Sequence, residues 1–127
     1  MESVPNFSEG RRLEVVDRIV RAARGVEGVR VLDLHSDADH NRSVLTLAGE
    51  IPAVREAVFR AIREATDRID LRQHQGEHPR LGATDVVPFI PLGDTTMEEA
   101  VTTRRTVSRR CSASSRSTAV PPALTST

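Results

Sequence analysis

The densest set of reactive side chains in the sequence is His74-Gln75-Gly76-Glu77-His78-Pro79-Arg80. A neutral imidazole accepts a proton near pH 7. A carboxylate beside it can orient it, and a guanidinium can grip a substrate carboxylate in a two-pronged fork. One short segment offers all three, although on composition alone a polar surface loop explains it equally well. The same residues spell His-x-x-Glu-His, a zinc-protease pattern. That pattern works only on a helix, where residues four apart share a face. Gly76 weakens a helix there, and Pro79 disfavours helical dihedrals at His78. A zinc hydrolase using His74 and His78 is therefore the weaker reading, and no metal is expected.

Two other segments carry chemistry-bearing residues. Asp37-Ala38-Asp39-His40-Asn41-Arg42 places two acids and a histidine within six residues. Such a run binds a cation or, more often, forms a solvated turn with Asx hydrogen bonds. Asn41 and Arg42 precede a strand, where they can face a ligand. Val4-Pro5-Asn6-Phe7-Ser8-Glu9-Gly10 reads as a strand-to-helix junction. Backbone N–H groups at such a junction can receive an anion, while an ordinary capped helix start accounts for the same residues.

The elements that must position these segments follow from periodicity. A short strand is expected over Ser3–Asn6 and a helix over about Glu9–Arg24, with Ser8 as N-cap. Leu13, Val16, Val20 and Ala23 give that helix one apolar face, and Gly25 stops it. Strands are expected at Val29–Leu34 and Ser43–Ala48, separated by the polar turn. A second helix is expected over Pro52–Ile69, with an apolar stripe of Val54, Val58, Ala61, Ile62, Ala65 and Ile69. Val86–Ile90 reads as the last strand, and Pro88 within it suggests an edge or a bulge. The order β-α-β-β-α-β predicts an α+β fold, a ferredoxin-like sandwich with both helices on one face of the sheet. Arg72–Thr84 is left as a loop, and a loop of that length is more often functional than idle.

Composition narrows the class. All 18 basic residues are arginine, and five of them lie in residues 101–127, which hold no acid. The remaining 13 face all 18 acids, so the bulk of the chain is acidic and offers no footprint for a nucleic-acid backbone. No apolar run is long enough to span a bilayer, and the first residues lack a signal-peptide pattern. The single cysteine, Cys111, cannot form an internal disulfide, which fits a cytoplasmic protein. After Val101 the sequence turns rich in Thr, Ser and Arg. Residues 103–127 are expected to be disordered, following a domain at 1–102.

Taken together, Val-Pro-Asn-Phe-Ser-Glu-Gly (4–10), Asp-His-Asn-Arg-Ser-Val (39–44) and the run from His74 through Pro91 resemble the formiminotransferase family, in its N-terminal subdomain. The resemblance covers about residues 3–101. It implies a one-carbon transferase that moves a formimidoyl group between N5 of tetrahydrofolate and the amine of L-glutamate, in histidine breakdown. Both partners are small molecules, and a homo-oligomer of the full-length enzyme is compatible with it. The resemblance makes His78 the catalytic histidine. Glu77 or Asp39 would orient or polarise it, Arg80 would bind a carboxylate, and Asn6, Asn41 and Arg42 would bind or orient substrate. His35 stands where relatives often have an acid. After Val101 the family pattern dissolves, and residues 104–127 read as GC-rich coding in the wrong frame. An inactive fragment lacking the folate-binding second subdomain is therefore the alternative expectation.

Overall fold

The computed structural model describes residues 1–69, 84–114 and 123–126. Its elements are β1 (Glu2–Ser3), β2 (Asn6–Phe7), α1 (Leu13–Arg24), β3 (Val29–Asp37), β4 (Arg42–Gly49), α2 (Ile51–Arg68), β5 (Thr84–Ile90), α3 (Met97–Ser114) and β6 (Ala123–Ser126). The described residues form an α+β fold, with a mainly antiparallel sheet and three helices.

The strand expected over Ser3–Asn6 is broken into β1 and β2, because Pro5 has no N–H to give a ladder. Both pieces pair with β4 on one side and β5 on the other, all antiparallel. β3 pairs antiparallel with the far side of β4, and β6 lies parallel to β5. The order across the sheet is therefore β3, β4, the split first strand, β5, β6.

Pro88 was expected at an edge or a bulge, but β5 is an interior strand. Its carbonyl accepts from the Ser3 hydroxyl at 2.8 Å and the Val4 N–H at 3.3 Å. The carbonyl and ring nitrogen of one strand residue face the same side. The missing N–H thus points at the Val4–Pro5 break, where the neighbouring ladder is itself interrupted.

Side chains alternate along β4: Ser43, Leu45 and Leu47 are buried, while Val44, Thr46 and Ala48 are only partly covered. Phe7, Val87 and Phe89 join the buried set. α2 lays Val54, Ala57, Val58, Ala61, Ile62 and Ala65 against it. α1 packs beside α2 with Val15, Val16, Ile19, Val20 and Ala23. The helix starts at Leu13 rather than Glu9, so its apolar stripe begins later. Leu13, expected in the core, is 62% exposed.

The end of the chain differs most from expectation. Residues 103–114, expected to be disordered, continue α3. Its first turn carries a reciprocal cap: the Thr96 N–H donates to Glu99 Oε1 at 3.0 Å, and the Glu99 N–H donates to Thr96 Oγ1 at 3.1 Å. Ala100, Thr103, Val107 and Cys111, three or four apart, form its buried stripe. Arg110 pairs with Glu56 of α2 and stacks over the Phe59 ring at 3.8 Å. Burial pushes the Cys111 thiol up to about 11, so it stays protonated and unreactive at neutral pH. Residues 115–122 and 127 lie outside the described residues. If α3 is docked as described, Val107→Ala should cost about 1–3 kcal/mol in urea unfolding, whereas exposed Arg109→Ala should stay within about 0.5 kcal/mol. Equal, negligible costs would mean that the helix end does not pack.

No helix among the described residues is long and apolar enough to cross a membrane.

Candidate functional site

Ladder register brings two of the chemistry-bearing segments, and the start of β5, to one end of the sheet. Ser36 lies opposite Ser43, Ser43 opposite Phe7, and Phe7 opposite Thr84. The β3–β4 turn, the β2–α1 junction and the point where the chain enters β5 thus share a row. His74, Glu77, His78 and Arg80 precede that entry and lie outside the described residues.

The junction and the turn are locked together. The Gly10 N–H donates to Asn41 Oδ1 at 2.8 Å, and the Ser43 hydroxyl donates to the Glu9 carbonyl. Arg11 Nε donates to the Ala38 carbonyl at 2.8 Å, and its Nη2 reaches the Asp39 carbonyl at 3.5 Å. Asn41 sits in the left-handed region, at φ 52°. Asn tolerates that conformation better than most residues. Asn41 is therefore a buried clasp between the turn and the junction.

The Gly10, Arg11 and Arg12 N–H groups at the junction are already engaged within the chain. Its own Glu9 carboxylate, buried, accepts from the N–H groups of Arg11 at 3.2 Å and Arg12 at 3.0 Å, and from Arg12 Nε at 2.7 Å. Glu9, not Ser8, thus supplies the negative group at the start of α1. Burial by itself pushes the Glu9 carboxyl up, but the Arg12 N–H, the Arg12 guanidinium and the Arg11 N–H together hold it below its ordinary value. The folded value lies below the unfolded one. The carboxylate therefore stabilises the fold above the unfolded value, and that stabilisation is lost as pH falls through the folded value. The Arg11 and Arg12 amide resonances should move together as pH falls below the ordinary glutamate range, and Glu9→Gln should abolish that transition. A transition that survives in Glu9→Gln would assign it to another group.

The other side of the sheet carries a second polar set. Directly opposed residues share a face, and both His35 and Asn6 lie opposite partly covered Val44. Arg42, two residues along β4, lies on that same open face opposite Asp37. Arg42 is exposed. Asn6 Nδ2 donates to the Val4 carbonyl at 3.1 Å. Asp39 is exposed on the turn. The carboxylate engaged there is Asp37: its Oδ1 accepts from the N–H groups of Asp39 at 3.0 Å and His40 at 3.4 Å, an Asx turn. Its Oδ2 lies 2.5 Å from His40 Nδ1. The hydrogen bond from His40 chiefly holds the Asp37 carboxyl below its ordinary value. Sequence reasoning singled out Asp39 and passed over Asp37. The Asp-x-x-His spacing, which lets a turn close on itself, was the available signal.

The model of the formiminotransferase domain, N-terminal subdomain, matches residues 1–123. The chain belongs to this family. It is 47% identical over 110 residues to the glutamate formimidoyltransferase of Streptococcus pyogenes, covering 87% of this chain and 37% of that protein. The glutamate formimidoyltransferase of Thermoplasma acidophilum is 46% identical over 110 residues, covering 87% and 36%. The formimidoyltransferase-cyclodeaminase of Mus musculus is 46% identical over 101 residues, covering 80% and 19%. The chain thus spans little more than a third of the first two relatives. The family match runs past Val101 and includes all of α3.

Proposed function

We propose that this chain is the N-terminal part of a glutamate formimidoyltransferase, acting on 5-formimidoyl-tetrahydrofolate and L-glutamate. The observation that carries the reading is that the first two family segments and the first residue of β5, within the third, share one row at one end of the sheet. Residues far apart in sequence serve one site only if the fold gathers them. The strand order supports a ferredoxin-like topology, with β1 and β2 counted as one strand and β6 added outside.

In this reading His78 is the general base. The glutamate amine must lose a proton as it attacks the formimidoyl carbon, and a neutral imidazole can take it. The tetrahedral species that follows needs its developing charge stabilised. Glu77 or Asp39 orients His78, and Arg80 grips a carboxylate. Asn6 and Arg42 reach substrate from the open face. Asn41 serves the site indirectly, by clasping the turn to the junction.

A chimera tests the assignment: residues 1–101 replace the matching segment of the Streptococcus pyogenes relative. Formation of N-formimidoylglutamate, followed by mass spectrometry, is the expected result. A folded chimera with no transfer would remove the reading. The second reading is a fragment that folds without transfer activity, favoured by the 37% coverage of that relative. Folate binding by the 127-residue chain alone, measured by calorimetry, separates the two.

A further inference from the structure

β3 forms one edge of the sheet, and no strand among the described residues pairs with its outer side. It is nine residues long and contains no proline. Such an edge presents unpaired N–H and C=O groups to any strand that can lie beside it. Which residues present them follows from β4. The Leu45 N–H donates to the Pro5 carbonyl at 3.0 Å, on the side away from β3. Leu45 and Leu34 are therefore a non-hydrogen-bonded pair, and the Leu34 N–H and carbonyl point off the sheet.

The side chains at this point are apolar on one face and of opposite charge type on the other. Leu34 shares the helix-covered face with buried Leu45, yet it is 42% exposed, and Leu32 is 56% exposed. α1, the helix that packs against β3, begins with exposed Leu13. On the open face Asp33 and His35 flank Leu34, and both are exposed.

This pattern complements itself. Two β3 strands can lie antiparallel about a two-fold axis at Leu34. Leu34 then meets Leu34 of the second copy and exchanges both backbone hydrogen bonds with it. Asp33 lies opposite His35 of the second copy, and His35 opposite its Asp33. These are close, non-hydrogen-bonded pairs. An imidazole N–H can donate to a carboxylate whether the ring is charged or neutral. Other registers are worse. A slip of one residue sets helix-side residues against open-face residues. An axis at Asp33 sets it against itself, and an axis at His35 sets Asp33 against Asp37, which puts like charges together. The irregularity between Val31 and Asp33 confines regular pairing to the part of the edge that starts at Asp33.

We propose that β3 is a self-pairing edge, through which two copies of this chain join into one continuous sheet. The proposal does not depend on the transferase reading. Sedimentation equilibrium of the 127-residue chain should show a reversible monomer–dimer equilibrium. His35→Asp sets two carboxylates face to face at both symmetric positions and should weaken dimerisation by about 10-fold or more. Exchanging the two residues, Asp33→His with His35→Asp, restores opposite partners and should recover most of that loss. Leu34→Cys should give an interchain disulfide on mild oxidation, because hydrogen-bonded partners have Cα atoms about 5.5 Å apart. Arg30→Cys, on the same strand but away from the axis, should not. The parent chain, with its buried Cys111, supplies the background for both. A parent that stays monomeric up to its solubility limit would overturn the proposal. So would a dimer that the exchange fails to restore, or one in which Arg30→Cys cross-links as readily as Leu34→Cys.

Discussion

In the chimera, His78→Ala is expected to lower single-turnover formimidoyl transfer by about 10²–10⁴-fold, with folate affinity nearly unchanged. The size follows from losing the group that takes the amine proton in the transition state, while leaving the surfaces that hold the ground state. His74→Ala is the informative contrast. In the transferase reading His74 supports its segment, and its loss should cost far less. In the zinc reading both histidines are ligands, so either loss should remove metal and activity together. Bound zinc is assayed in parallel with transfer. Near-normal transfer by His78→Ala would end the general-base assignment. Equal losses that track zinc would favour the hydrolase.

Much of the architecture was legible because its signals are local. The stripe on α2 repeats at helical spacing over about four turns, and all but its last member lie within the described helix. The strands at Val29 and Ser43 were found where alternation and turn residues placed them, though each extends farther. α1 was misread at its start because Ser8 and Glu9 both suit a helix N-terminus. Only the three-dimensional junction shows the Glu9 carboxylate reaching forward to Arg11 and Arg12. The continuation of α3 was missed for a different reason. Its buried stripe is narrow and contains Thr103 and Cys111, so Arg, Ser and Thr dominate the local composition. Composition reports the average over all faces, whereas docking depends on one.

The site was legible as three segments but not as roles. Residue type alone does not separate Asn41, which closes a clasp, from Arg42, which lies exposed one residue later. The left-handed conformation of Asn41 and the parity of β4 decide that. Both depend on where the turn ends, and turn ends are the least visible feature of a polar stretch. The same holds for Asp37 and Asp39: both are acids in one run, and only the turn geometry shows which carboxylate meets His40.

Gly10→Ala is expected to destabilise the fold by more than about 3 kcal/mol, which is large for a single methyl group. A Cβ at Gly10 would lie 2.4 Å from the Asp37 carbonyl oxygen and 2.6 Å from both the N and the O of Arg42. All three are backbone atoms, so no side-chain rotation relieves the overlap. The β3–β4 turn would have to move away from the β2–α1 junction. That movement breaks the Gly10–Asn41, Ser43–Glu9 and Arg11–Ala38 hydrogen bonds, each worth about 0.5–1.5 kcal/mol net. Asn41 and Ser43 are both buried, so their orphaned polar atoms add a desolvation cost. The requirement is spatial rather than torsional. Gly25→Ala provides the control, because Gly25 has φ −68° and a Cβ there would meet the Arg21 carbonyl at an ordinary 3.4 Å. That change should be neutral or stabilising by up to about 1 kcal/mol. Urea unfolding of both variants checks the pair. If Gly10→Ala unfolds at the parent midpoint, the turn and junction are not in the close contact described.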